Sequence, residues 1–126
     1  SASYLQTIPL LLHLPPKNIF DDRLTKLQLY VDIPEDSIAT VSIFYRTNTM
    51  ENMQEIKLAK EKGSYSFNFD PGIQGGDSVT YFFTVAVKDQ SIHATPLDIN
   101  GKIEPYNKPL VDPIKYYEER LKSLKW

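Results

Sequence analysis

The chain has 126 residues, 14 Lys and Arg against 16 Asp and Glu, and no cysteine. That length suits one domain with a real core and is too short for two. A net charge of −2 offers no basic field to nucleic acid or anionic lipid, and the absence of cysteine excludes a disulfide framework and thiolate chemistry.

No apolar run is long enough to span a bilayer, so membrane insertion is not expected. The longest, Ile8 to Leu14, is interrupted by Pro9 and His13. No secretory signal is read, and residue 1 is Ser, so a processed product or a piece of something larger is expected.

Residues 1–7 are read as a flexible N-terminal segment. Ile8 to Leu14 suits an edge strand, where Pro9 is tolerated, and Pro15-Pro16 ends it. Lys17 to Arg23 reads as a loop. From Leu24 to Ile33 the chain alternates with period two: Leu27, Leu29, Val31 and Ile33 face in, while Lys26, Gln28, Tyr30 and Asp32 face out. Pro34 to Ser37 is a turn. In the next strand, Ala39 to Thr47, Val41, Ile43 and Tyr45 share one face, and Ser42, Phe44 and Arg46 the other. A short strand over Glu55 to Ala59 and another over Ser64 to Phe69 follow, parted by the turn Lys60 to Gly63.

The Gly- and Pro-rich turn Asp70 to Asp77 leads into the clearest strand, residues 78–88. Val79, Tyr81, Phe83, Val85 and Val87 line its inner face. Ser91 to Thr95 and Leu97 to Ile103 read as the closing strand, broken at Pro96. Residues 105–112 read as an extended linker. Asp112 then sits as a helix N-cap before Pro113, and Ile114, Tyr117, Leu121 and Leu124 recur at helical spacing. An amphipathic helix over 113–126 is predicted.

Five stretches carry a resemblance: Val41-Ser-Ile-Phe-Tyr-Arg46, Gln54-Glu-Ile-Lys-Leu58, Tyr65-Ser-Phe67, Gly75-Gly-Asp-Ser-Val-Thr-Tyr-Phe-Phe-Thr-Val-Ala86 and Ala94-Thr-Pro96. Over roughly residues 8–104 the chain resembles the fibronectin type III or immunoglobulin-like modules of bacterial multidomain envelope and secreted proteins. The resemblance implies a spacer, ligand-presenting or partner-binding module outside the cytoplasm. These motifs specify packing and turns, not an activity.

Candidate chemistry is sparse. His13 and His93 lack ligand-spaced partners and read as surface or rim residues. No Gly-x-Ser-x-Gly elbow or paired-acid motif occurs, so no catalytic residue is nominated and an enzyme is not expected. The glycines of Gly72 to Gly76 lead into a strand rather than a helix, which argues for a turn and against a phosphate loop. Asp32, Glu35, Asp36 and Asp89 fall in loops that share one end of a sandwich. Together they are a candidate calcium site, weighed against ordinary solvated turns. Phe44 and Phe82 point away from the core on neighbouring strands and need a cover. Three covers compete: a sugar ring, a protein partner, or the stripe of the terminal helix, and the helix is preferred.

The expectation is an all-β, immunoglobulin-like or fibronectin III-like sandwich of about seven antiparallel strands, residues 8–104, followed by a C-terminal amphipathic helix. The predicted core is Leu27, Leu29, Val31, Val41, Ile43, Tyr45, Leu58, Tyr65, Phe67, Val79, Tyr81, Phe83 and Val85. The expected role is a non-catalytic interaction or spacer module of a larger exported bacterial protein. Phe44, Phe82, Tyr30, Tyr117 and Leu121 are the candidate contacts, and no cofactor is expected. Its partners would be other domains of the parent or another protein. A carbohydrate-binding module that takes a glycan, and a helix-mediated oligomerisation domain, are the alternatives. Nucleic acid is not an expected partner.

Overall fold

A computed structural model describes residues 9–124. The expected flexible segment 1–7 and the last two residues of the expected helix lie outside that range. Among the described residues ten strands form two sheets. The first sheet has the order β1 (Leu11–Leu12), β3 (Thr25–Val31), β7 (Ser64–Phe69), β6 (Lys60–Glu61). The second has the order β2 (Ile19–Phe20), β10 (Tyr106–Val111), β8 (Ser78–Val87), β4 (Ile38–Thr47), β5 (Gln54–Lys57), and β9 (Ile92–Thr95) also pairs with β8. One helical turn, α1 (Pro71–Gln74), precedes β8, and α2 (Pro113–Ser123) closes the described chain.

The period-two alternation does its expected work. In the β4–β8 ladder Val41 pairs with Val85, Ile43 with Phe83 and Tyr45 with Tyr81, and all six are buried. Leu27 and Leu29 of β3, with Tyr65 and Phe69 of β7, meet them from the other sheet in one apolar cluster. Burying each such side chain contributes roughly 1.5–3 kcal/mol. Val31, Leu58 and Phe67, expected in the core, pack against it only partly buried. Leu11, Ile19 and Phe69 complete it.

Three expectations change. The loop Lys17 to Arg23 contains β2, which runs parallel to β10, pairing Ile19 with Leu110 and Phe20 with Val111. Not every strand pair is therefore antiparallel. The closing strand ends at Thr95, because Pro96 has no N–H to continue the ladder. Residues 97–103 form a loop closed by a single bridge, Leu97 to Ile103. There the Asp98 carboxylate accepts from the Asn100 and Lys102 amides. Finally, the expected linker 105–112 contains β10, which pairs Tyr106 with Tyr81 and Lys108 with Val79. It is extended, as its prolines require, but it is a sheet strand rather than a tether. Pro109 lies opposite Ser78, near the end of that ladder.

The helix starts as its sequence dictates. Asp112 accepts the Ile114 amide at 3.0 Å, and Pro113 takes the first position, where no N–H is needed. Among the described residues no helix is long and apolar enough to cross a membrane.

Candidate functional site

The nominated residues fall in separate places. Phe44 and Phe82 are directly opposite on β4 and β8, on the face turned away from the core. Their rings stack at 5.0 Å between centroids and 7° between planes, and both are half-buried. Each ring spends one face on the other. A sugar platform needs a free aromatic face, so this stack leaves only the outer sides and edges for a ligand.

The helix does not cover that pair, contrary to expectation. Ile114, Tyr117, Leu121 and Leu124 are 70%, 51%, 62% and 62% exposed. The reason is topological. β10 lies beside β2 at one edge of the sheet, and α2 begins two residues after β10 ends. The helix is thus anchored at that edge, where Phe20 of β2 meets Tyr116 at 5.7 Å and Tyr117 at 6.1 Å. The Arg23 guanidinium lies 4.7 Å from the centre of the Phe20 ring. Tyr116 bonds Asn18 and Arg120, which lowers its hydroxyl pKa. Tyr117 is shared between this contact and the apolar stripe, and Leu121 belongs to the stripe alone.

Tyr30 stands on the other sheet, exposed, opposite Leu12. With Pro9, Asp32 and Gly63 it borders a shallow recess of ≈ 350 Å³. It shares no surface with Phe44 and Phe82.

The proposed calcium ligands do not assemble. Their two loops do meet, since the Lys88 amide donates to the Ser37 carbonyl at 2.8 Å. The carboxylates nevertheless serve local ends. Glu35 pairs with Lys60 at 3.5 Å. Asp89 accepts from the Ser91 hydroxyl at 2.6 Å and the Ser91 amide at 2.8 Å, bonds that hold its pKa below the usual range. Asp32 and Asp36 are exposed. Among the described residues no three His, Asp or Glu side chains are placed to hold a metal.

Two features escaped the sequence reading. One is an open apolar groove of ≈ 580 Å³ between β1 and β9, walled by Leu10, Leu11, Ile92, Leu97 and Ile103. The signal was present: Ile92, Leu97 and Ile103 are large apolar groups in a stretch otherwise rich in turns. The other is His13, read as a surface or rim residue but only 6% exposed. Its Nδ1 lies 2.6 Å from the Gln28 carbonyl on β3, and its Nε2 lies 2.8 Å from the Tyr81 hydroxyl on β8. The rings of Tyr81, Phe83 and Tyr106 surround it at 5.4, 4.9 and 5.2 Å. Burial lowers the His13 pKa, against a smaller opposing pull from the Gln28 carbonyl. Its position within the apolar run Ile8 to Leu14 was the available clue.

Compared with protein-family models and with curated proteins, the chain matches none.

Proposed function

We propose that this chain is a non-catalytic interaction module, built on an immunoglobulin-like or fibronectin III-like sandwich, within a larger exported bacterial protein. The observation that carries the reading is the stripe Ile114, Tyr117, Leu121 and Leu124. It lies exposed on a helix that is itself anchored through Tyr116 and Tyr117 to Phe20. A capped helix with an uncovered apolar stripe is the form that docks into a groove of another domain. The strand orders β1-β3-β7-β6 and β2-β10-β8-β4-β5 support the sandwich family. The bacterial and extracytoplasmic setting rests on the sequence resemblance alone.

The partner in this reading is a neighbouring domain of the parent protein. Hydrogen exchange over 113–123 in the parent, against the isolated chain, tests it. A tenfold or greater slowing in the parent supports docking, and equal rates end the reading. The 3-4-3 spacing of the stripe also favours a second reading, self-association through the helix. Sedimentation that shows a dimer in the wild type and a monomer in Leu121→Glu selects it. The glycan reading draws no support from the stacked pair, and a flat titration against a glycan panel removes it.

A further inference from the structure

Among the described residues His13 is the buried histidine, and its bonds specify its tautomer. A backbone carbonyl only accepts, so the contact with Gln28 puts a proton on Nδ1. Nε2 then carries a lone pair and accepts from the Tyr81 hydroxyl. The neutral ring thereby joins β3 of one sheet to β8 of the other. A second proton, on Nε2, would turn the acceptor into a donor and strip the fully buried Tyr81 hydroxyl hydrogen of its partner.

The surroundings offer that proton no compensation. From β3 the ring meets the Gln28 carbonyl, from β8 Tyr81 and Phe83, and from β10 Tyr106, whose hydroxyl bonds Thr95 of β9. Tyr81 and Tyr106 stay neutral at ordinary pH, because burial raises both. Among the described residues no carboxylate acts on His13; burial and the Gln28 carbonyl are the influences on it. His93 of β9 lines the neighbouring groove.

We infer that His13 is an acid-sensitive bolt whose protonation releases β1 from β3 while the rest of the sandwich stays folded. β1 is the element that yields because it is a two-residue edge strand, anchored besides His13 by a short ladder and the buried Leu11. Two register pairs, Leu11 with Val31 and Leu12 with Tyr30, join it to β3, and the Asp32 amide donates to the Leu10 carbonyl at 2.7 Å. Release would widen the apolar groove between β1 and β9 and bare an edge of β3, the kind of edge that accepts an added strand.

The sign follows from linkage. The released ring titrates near 6.5, and the bolted ring titrates lower. Below about pH 6.5 the released state therefore binds a proton that the bolted state refuses. The release constant rises by up to about tenfold per pH unit and levels off below the bolted pKa.

The Asp32 amide reports release directly. Its protection factor, corrected for intrinsic exchange, is measured by NMR on the full chain from pH 7.5 to 5. The Leu58 amide, bonded to the Val41 carbonyl, serves as reference. The expected result is an Asp32 protection that falls on acidification below about pH 6.5, by up to about tenfold per pH unit, and levels off once the bolted ring itself protonates, with Leu58 unchanged. The slope vanishes in His13→Gln, whose amide offers a donor and an acceptor without titrating, and persists in His93→Gln. Asp32 protection that ignores pH, that falls together with Leu58, or that keeps its slope in His13→Gln overturns the inference. A ¹⁵N spectrum of the wild-type imidazole decides independently of any variant. A neutral Nδ1–H tautomer titrating below the free value supports the bolt, and an Nε2–H tautomer or free-value titration refutes it.

Discussion

Individual side chains here are held by neighbours that composition does not reveal. Gly76 has φ +86°, and a Cβ there would stand 2.6 Å from Asn48 Oδ1 and 2.9 Å from Thr47 Cβ. That same Asn48 oxygen accepts the Asp77 amide at 2.8 Å, so it cannot retreat without losing a bond. Gly63 has the same φ and open space around it. Gly76→Ala should therefore cost roughly 1–3 kcal/mol and clearly more than Gly63→Ala, read as paired shifts in thermal midpoint. Equal shifts would remove the steric part of the argument. The Phe44–Phe82 stack permits a second measurement. A double-mutant cycle with alanine should give a coupling of about 0.5–1.5 kcal/mol, and additive single losses would mean the stack contributes nothing beyond area. Of these residue environments, sequence alone indicated the Phe44–Phe82 pairing, because alternation puts both on the outer face of adjacent strands. For His13 it indicated burial alone, through its place in the apolar run Ile8 to Leu14; the partners of the ring come from other strands and were not legible.

At the scale of elements, the helix shows local code and tertiary placement acting separately. Its start was legible: Asp112 caps and Pro113 opens, and both do so in the structure. Asp112→Ala should cost the helix about 1 kcal/mol. Because α2 is anchored mainly by Tyr116 and Tyr117 on Phe20, far-ultraviolet helical signal should drop while the sandwich midpoint barely moves. A matching fall in the sandwich midpoint would show a tighter coupling than these contacts provide. Where the helix lands was not legible. The amphipathic pattern identifies an apolar side, and the nearest aromatic to receive it follows from the β10–β2 pairing, a contact between residues about ninety apart in sequence.

At the scale of the whole molecule, β10 decides where the domain ends. It covers the 78–81 half of β8 and pairs with β2, which carries the fully buried Ile19. A chain truncated after Val111 should keep cooperative thermal unfolding. One truncated after Glu104 should lose it, because Val79, Tyr81 and Ile19 then lie at an open edge. Cooperative melting of the shorter chain would return residues 105–112 to the status of a linker. The sequence by itself determined the β character, the inner faces of β3, β4, β7 and β8, and the capped helix. Those are set by period-two and 3.6-residue patterns that each segment carries internally. Only the tertiary structure decided that a proline-bearing tether is a strand, that the helix stripe stays open, and that His13 joins the sheets. Each of those depends on which distant segments become neighbours, and no local periodicity encodes that choice.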